Sequence, residues 1–114
     1  MLASKYRLKD SSDFDEVHKK GKLYSGELAS LVVYKRGDTD PSRFGFVVSS
    51  KISSLATIRN NKKRILSETV RQLVTKIPTG YDCVFLGKRK IATSYANAIM
   101  KETRDLLVKS KLLK

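Results

Sequence analysis

At 114 residues the chain has the length of one ordinary domain, and with 40% apolar residues it can bury a small core. Its formal net charge is +13, from 24 Lys and Arg against 11 Asp and Glu; such an excess opposes compaction and points to a polyanionic partner, nucleic acid ahead of an anionic membrane surface. A single Cys and a single His exclude an internal disulfide and a Cys/His metal cluster, and no apolar run nears the roughly 20 residues of a membrane-spanning helix.

"MLASKYRLKDSSD" lacks the apolar stretch of a secretory signal, so a cytoplasmic protein is expected, a single domain over 1–114. "DSSDFDEVHKKGK" reads as a first helix. Asp10, Ser11 or Ser12 can cap it, acids occupy its first turn, Lys19 and Lys20 its last, and Gly21 stops it. Phe14, Val17 and His18 then share one face. "ELASLVVYK" (27–35) and "RFGFVVSSK" (43–51) are β-rich, and the Gly- and Pro-bearing connector "RGDTDPS" predicts a hairpin between them. A short extra strand is expected near 50–53.

A second helix follows, capped by Thr57 or Ser54 and ended by "IPTG". Its apolar stripe is Ile58, Ile65, Leu66, Val70, Leu73 and Ile77. "YDCVFLG" (81–87) is short and apolar enough for a buried strand. A last helix spans roughly 93–111, with Tyr95, Ile99, Thr103, Leu106 and Leu107 inward. The fold class is α+β: a single mixed β-sheet of about four strands with three helices packed on it, in the order α-β-β-(β)-α-β-α.

The second helix carries the strongest functional signal, "TIRNNKKRILSETVRQL". Four cations fall in six positions, Arg59, Lys62, Lys63 and Arg64, with no acid among them. A cluster of like charge at a helix N-terminus opposes the helix dipole by tenths of a kcal/mol per charge; a bound polyanion reverses the sign of each of those terms. With Ile58, Ile65 and Leu66 inward, Arg59, Asn60, Lys63, Arg64, Ser67 and Arg71 project outward and Lys62 lies at the margin. Asn60 adds donors and acceptors for 2′-hydroxyls or base edges. The competing reading of such a run is a solvated charged face.

These residues resemble the protein subunit of bacterial ribonuclease P. Its Arg-Asn-Arg box is matched by Arg59-Asn60-Asn61-Lys62-Lys63-Arg64, with Glu68 and Arg71 downstream. "YRLKDSSDFDEVHKKGK", "RFGFVVSSK" and "GYDCVFLGK" match further family patterns, so the resemblance covers nearly the whole chain. Asn61, Ser67, His18 and Lys88 depart from the family's usual residues, and the loop "KISSLATIR" is one residue longer. The family's fold resembles the second domain of a ribosomal small-subunit protein.

The resemblance implies an accessory subunit of a ribonucleoprotein endoribonuclease that matures the 5′ end of tRNA. Catalysis then belongs to the RNA, which holds most of the Mg²⁺, and the protein has no catalytic and no metal-binding residue. Its partners would be ribonuclease P RNA and precursor tRNA, with no membrane and no DNA. By resemblance, Ser49, Lys51, Arg59, Asn60, Lys62, Lys63, Arg64 and Arg71 dock on the catalytic RNA. A cleft between the first helix and one sheet face would hold the single-stranded 5′ leader, lined by Phe14, His18, Ser30, Val32 and Val47, with Arg7 supplying phosphate contact. Phe14 can stack a base of any identity. The alternatives are a ribosome-associated RNA-binding protein of similar fold, a DNA-binding regulator, against which the three β-rich runs argue, and an independent protein nuclease, for which metal ligands are too few.

Overall fold

The computed structural model describes residues 2–114. Its elements are α1 (Ser11–Lys20), β1 (Lys22–Ser25), β2 (Ala29–Lys35), β3 (Arg43–Val47), α2 (Ala56–Leu73), β4 (Tyr81–Gly87) and α3 (Ala96–Lys109). Short 3₁₀ turns at Ser4–Tyr6, Val74–Lys76 and Arg89–Thr93 punctuate them. The sheet runs β1-β2-β4-β3, antiparallel except for the parallel β3–β4 pair.

The α+β class and four-stranded mixed sheet agree with expectation; two details of the sheet do not. β2 and β3 form no hairpin, because β4 lies between them. β4 is the most deeply buried strand, with Asp82, Cys83, Val84 and Phe85 all covered, so it takes the centre and pairs along both edges. A Gly/Pro connector reports a turn and not the partner of the strands it joins. The extra strand is β1, and residues 49–52 instead make a turn closed by the Ile52 N–H donating to the Ser49 carbonyl at 3.0 Å. β1 has four residues, three of them exposed, and forms only because β2 is there to pair with it.

Alternation along the strands divides the core into two layers. Ala29, Leu31, Phe44, Cys83 and Phe85 face α2 and α3, where Leu66, Val70, Ile99, Leu106 and Leu107 cover them. On the opposite face Val32 and Val84 pack with Leu8 and Val17 under α1. Gly21 ends α1, its N–H donating to the Val17 carbonyl at 2.7 Å. A side chain there would come within 2.6 Å of Val32, so the chain turns close over the sheet.

Helix starts differ from the sequence reading. Leu55 occupies the cap position of α2, and neither Ser54 nor Thr57 caps it. Thr57 already lies within the first turn, while the Ser53 hydroxyl accepts from the Leu55 N–H at 3.2 Å. α3 begins at Ala96, since 89–93 is a 3₁₀ stretch that buries Ile91. Tyr95 therefore precedes the helical period and is 83% exposed, not inward, whereas Ile99, Thr103, Leu106 and Leu107 are buried as expected.

Two polar clamps lock the layers. Asp82, 3% exposed, accepts from Arg36 at 2.6 Å and from Arg43 at 2.8 and 2.9 Å. Arg43 also reaches Asp13 of α1 at 3.3 Å, tying α1 to the sheet beside Phe14. The Asp82 hydrogen bond raises the Arg43 pKa further above its ordinary value. Arg36 also donates to Asp38 and to the Asp40 and Pro41 carbonyls, fastening the β2–β3 loop. That hydrogen bond from Arg36 lowers the Asp38 pKa. The contribution is therefore present above the ordinary carboxylate pKa, about pH 4, and is lost as the pH falls through the lowered value.

In the second clamp, the Glu102 carboxylate of α3 accepts from the backbone N–H groups of Glu27, Leu28 and Ala29 at 2.8, 2.7 and 2.7 Å. Glu102→Ala is expected to cost about 2–3 kcal/mol, because it strands donors in a half-buried turn. Urea unfolding checks this through a lower midpoint at an unchanged slope.

Candidate nucleic-acid interface

The basic run lies on the first two turns and a half of α2, whose first turn contains no acid. Burial of Leu66 and Val70 turns the other side of the helix outward. Asn60, Arg64 and Arg71 are exposed, and Arg59, Lys62 and Lys63 are half-buried. Three of the cations hold local partners. Arg59 donates to the Ser53 carbonyl at 2.9 Å, Lys62 to the Ser94 carbonyl at 2.9 Å, and Arg71 to Glu68 at 2.7 Å. Among the described residues Lys63 and Arg64 have no hydrogen-bonded or ion-paired partner. The expected ridge is thus present, with one correction: Ser67 is 6% exposed, buried where α2 meets β3 and not projecting outward. A helix leaning on an edge strand buries a wider stripe than its apolar residues mark.

Ser49 and Lys51 are both exposed, on the turn that leads into α2. Only a turn, and no strand, separates β3 from the basic helix.

A cleft of about 680 Å³ opens at β3, bounded by the N-terminal segment, α1 and α2. β3 is the last strand of the sheet, and its outer edge is partly covered. Arg7 bridges Phe44 and the Leu8 N–H donates to the Phe44 carbonyl at 2.9 Å. Arg7 and Phe14 line the cleft on one side, and Asn60, Lys63 and Arg64 on the other. The sequence assigned these to two separate sites; the fold brings them to one.

The remaining predicted cleft residues lie elsewhere. Ser30, Val32 and Val47 do share the α1-facing side of the sheet, as the even positions of β2 allow. Ser30 and Val32 are buried, however, Val32 with Leu8, Val17 and Val84. Val47 is half-buried, and His18 is exposed on the last turn of α1. None of the four borders the 680 Å³ cleft.

Gly45 and Phe46 were missed as cleft residues. An added Cβ at Gly45 would sit 2.4 Å from the Phe14 ring, so the glycine lets the ring lie against the strand. Phe46 stacks on Phe85 with centroids 5.7 Å apart. A glycine inside a β-rich run was the available signal, since it often marks a close approach.

Among the described residues no group of three His, Cys, Asp or Glu side chains gathers as a metal site. Asp13 and Asp82 are engaged by arginine. Cys83 is buried and free, its thiol pKa pushed well up by desolvation. No helix of the described chain is long and apolar enough to cross a membrane.

Fold and surface together define a small basic α+β domain that offers a rigid cationic helix beside an aromatic cleft. The family model described as "Ribonuclease P" matches residues 2–111. The chain is 33% identical to the ribonuclease P protein component of Pseudanabaena sp., over 99% of this chain and 97% of that one. It is 32% identical to the component of Clostridium novyi, over 93% and 94%. The ribonuclease P protein structure from Thermotoga maritima superposes with a TM-score of 0.80 at 31% identity, covering 90% of this chain and 96% of that one. The Staphylococcus aureus ribonuclease P protein gives 0.89 at 23% identity over 96% and 98%, a likeness of fold. The chain belongs to the ribonuclease P protein family and acts in tRNA processing as its protein component.

Proposed function

We propose that this subunit docks on the catalytic RNA of ribonuclease P through α2 and holds the 5′ leader of precursor tRNA along the adjoining cleft. The RNA breaks the bond and holds most of the Mg²⁺; the protein contributes affinity and charge screening, in the cytoplasm. The observation that carries this reading is the single cleft joining Arg7 and Phe14 to Asn60, Lys63 and Arg64. A strand leaving the catalytic RNA's surface finds cations on one wall and a half-buried aromatic on the other. Aromatic and cation together suit single-stranded nucleic acid of any sequence.

Ser49, Lys51, Arg59, Lys62 and Arg71 extend the docking surface around Lys63 and Arg64. His18, exposed one turn beyond Phe14, and Val47 continue the leader path along α1. Ser30 and Val32 act from beneath, as packing that fixes the height of α1. With 24 cations and a net charge of +13, the protein lowers the Mg²⁺ needed to bring two RNAs together.

Two measurements test this. Added to a bacterial ribonuclease P RNA at low Mg²⁺, the protein is expected to restore release of the 5′ leader; no stimulation would rule the reading out. Phe14→Ala is expected to weaken precursor tRNA by about 5- to 100-fold while leaving mature tRNA nearly unchanged. Equal losses for the two would assign Phe14 to packing alone.

A further inference from the structure

α2 has a second groove on its other flank. It holds about 580 Å³ between α2 and the start of α3, within the range of roughly 300–1,000 Å³ typical of small-ligand clefts. Its floor is apolar, from Ile65 and Met100, and Lys62 and Arg64 rise on the α2 side. Tyr95 stands at the α3 side, 83% exposed. An exposed tyrosine alone has no special meaning. This one borders a concave apolar floor and faces two cations across it.

The charge of the groove is positive. Glu68 lines it too, but is paired with Arg71 at 2.7 Å. Lys62 donates to the Ser94 carbonyl, the residue before Tyr95, so the two walls are braced together at 2.9 Å. Arg64 lines both this groove and the 680 Å³ cleft. The basic helix is therefore a wedge with a binding concavity on each side.

We infer that this second groove takes an unpaired nucleotide of the catalytic RNA, its base on the Tyr95 ring and its phosphate at Lys62 and Arg64. The occupant is the catalytic RNA and not the substrate, because the groove continues the outward face of α2 away from Phe14 and Arg7. This rests on the reading above that α2 docks on that RNA. A flat ring over an apolar floor suits a base face, and cations at one rim suit the adjoining phosphate.

The test is equilibrium binding of the full-length protein to ribonuclease P RNA without tRNA, across a salt series. Tyr95 is exposed, so Tyr95→Ala leaves the fold intact. It is expected to weaken binding by about 5- to 100-fold without changing the slope of log K against log salt. Tyr95→Phe keeps the ring and retains most of the affinity. Lys62→Ala, in contrast, is expected to lower the slope by about 0.7–0.9. Chemical probing should show one unpaired nucleotide that is protected by wild type and Tyr95→Phe and exposed with Tyr95→Ala.

Unchanged binding of Tyr95→Ala overturns the inference. So does a loss seen only with precursor tRNA, which would place the substrate in the groove. Lys63→Ala with Arg64→Ala serves as the control for the parent reading. If that pair weakens RNA binding while Tyr95→Ala does not, the groove fails and the docking face stands; if neither does, both fail.

Discussion

Asp82→Ala is expected to destabilise the protein by about 3–5 kcal/mol, the cost of breaking a buried ion pair by removing one partner. Asp82 is 3% exposed, and its carboxylate takes the guanidinium groups of Arg36 and Arg43. Removing it leaves half-buried Arg36 with only Asp38 and the Asp40 and Pro41 carbonyls, and half-buried Arg43 with only Asp13 at 3.3 Å. For a domain of this size the loss corresponds to a fall in Tm of roughly 12–40 °C, which few small domains survive at 37 °C. Differential scanning calorimetry in the presence of a stabilising anion checks it. A change below about 1 kcal/mol would mean the arginines swing to solvent and the clamp adds little. The effect reaches the cleft as well, because Arg43 bridges Asp82 to Asp13, the neighbour of Phe14. Asp82→Asn keeps the shape and one acceptor, so it should fall between wild type and alanine.

Lys63→Ala combined with Arg64→Ala carries the second large effect, on binding. Neither cation has a protein partner among the described residues, so both are free to release counterions from a phosphate backbone. Removing two such contacts lowers the slope of log K against log salt by about 1.4–1.8. At 0.15 M salt, relative to 1 M, that amounts to roughly 20-fold in affinity. The unfolding midpoint should be unchanged or slightly higher, since Ala suits a helix interior and two members of a like-charged cluster are gone. Affinity measured at several salt concentrations, with urea unfolding alongside, separates the two quantities. An unaltered slope would make the ridge an ordinary solvated face.

Local periodicity made much of this legible. α1 lies where its stripe predicted, α2 does so up to Leu73, with Ile77 beyond it in extended backbone after a 3₁₀ turn, and the apolar run 81–87 is a buried strand. The acid-free run at 59–64 marked the helix that carries the cationic face, because charge composition needs no three-dimensional context. The errors share one cause. The hairpin, the extra strand at 50–53, the inward Tyr95 and the outward Ser67 were each assigned from one element's own spacing, and each was settled by something outside that element. β4 displaced β3 from β2; β2 recruited β1; the 3₁₀ turn over Ile91 delayed α3; and Ser67 came to lie in the wall of the cleft that α2 forms with β3.

The amino-acid order by itself settled the charge, the helix that bears it and the two-sided alternation of the core, since these depend on spacings within one element. Only the tertiary structure decided that Arg7 and Phe14 share a cleft with Asn60, Lys63 and Arg64, and that Tyr95 faces Lys62 across a second one. Those neighbours are tens of residues apart along the chain. Their meeting depends on strand order at the β3 edge, which is fixed by which strand can bury both faces, and no local spacing encodes that.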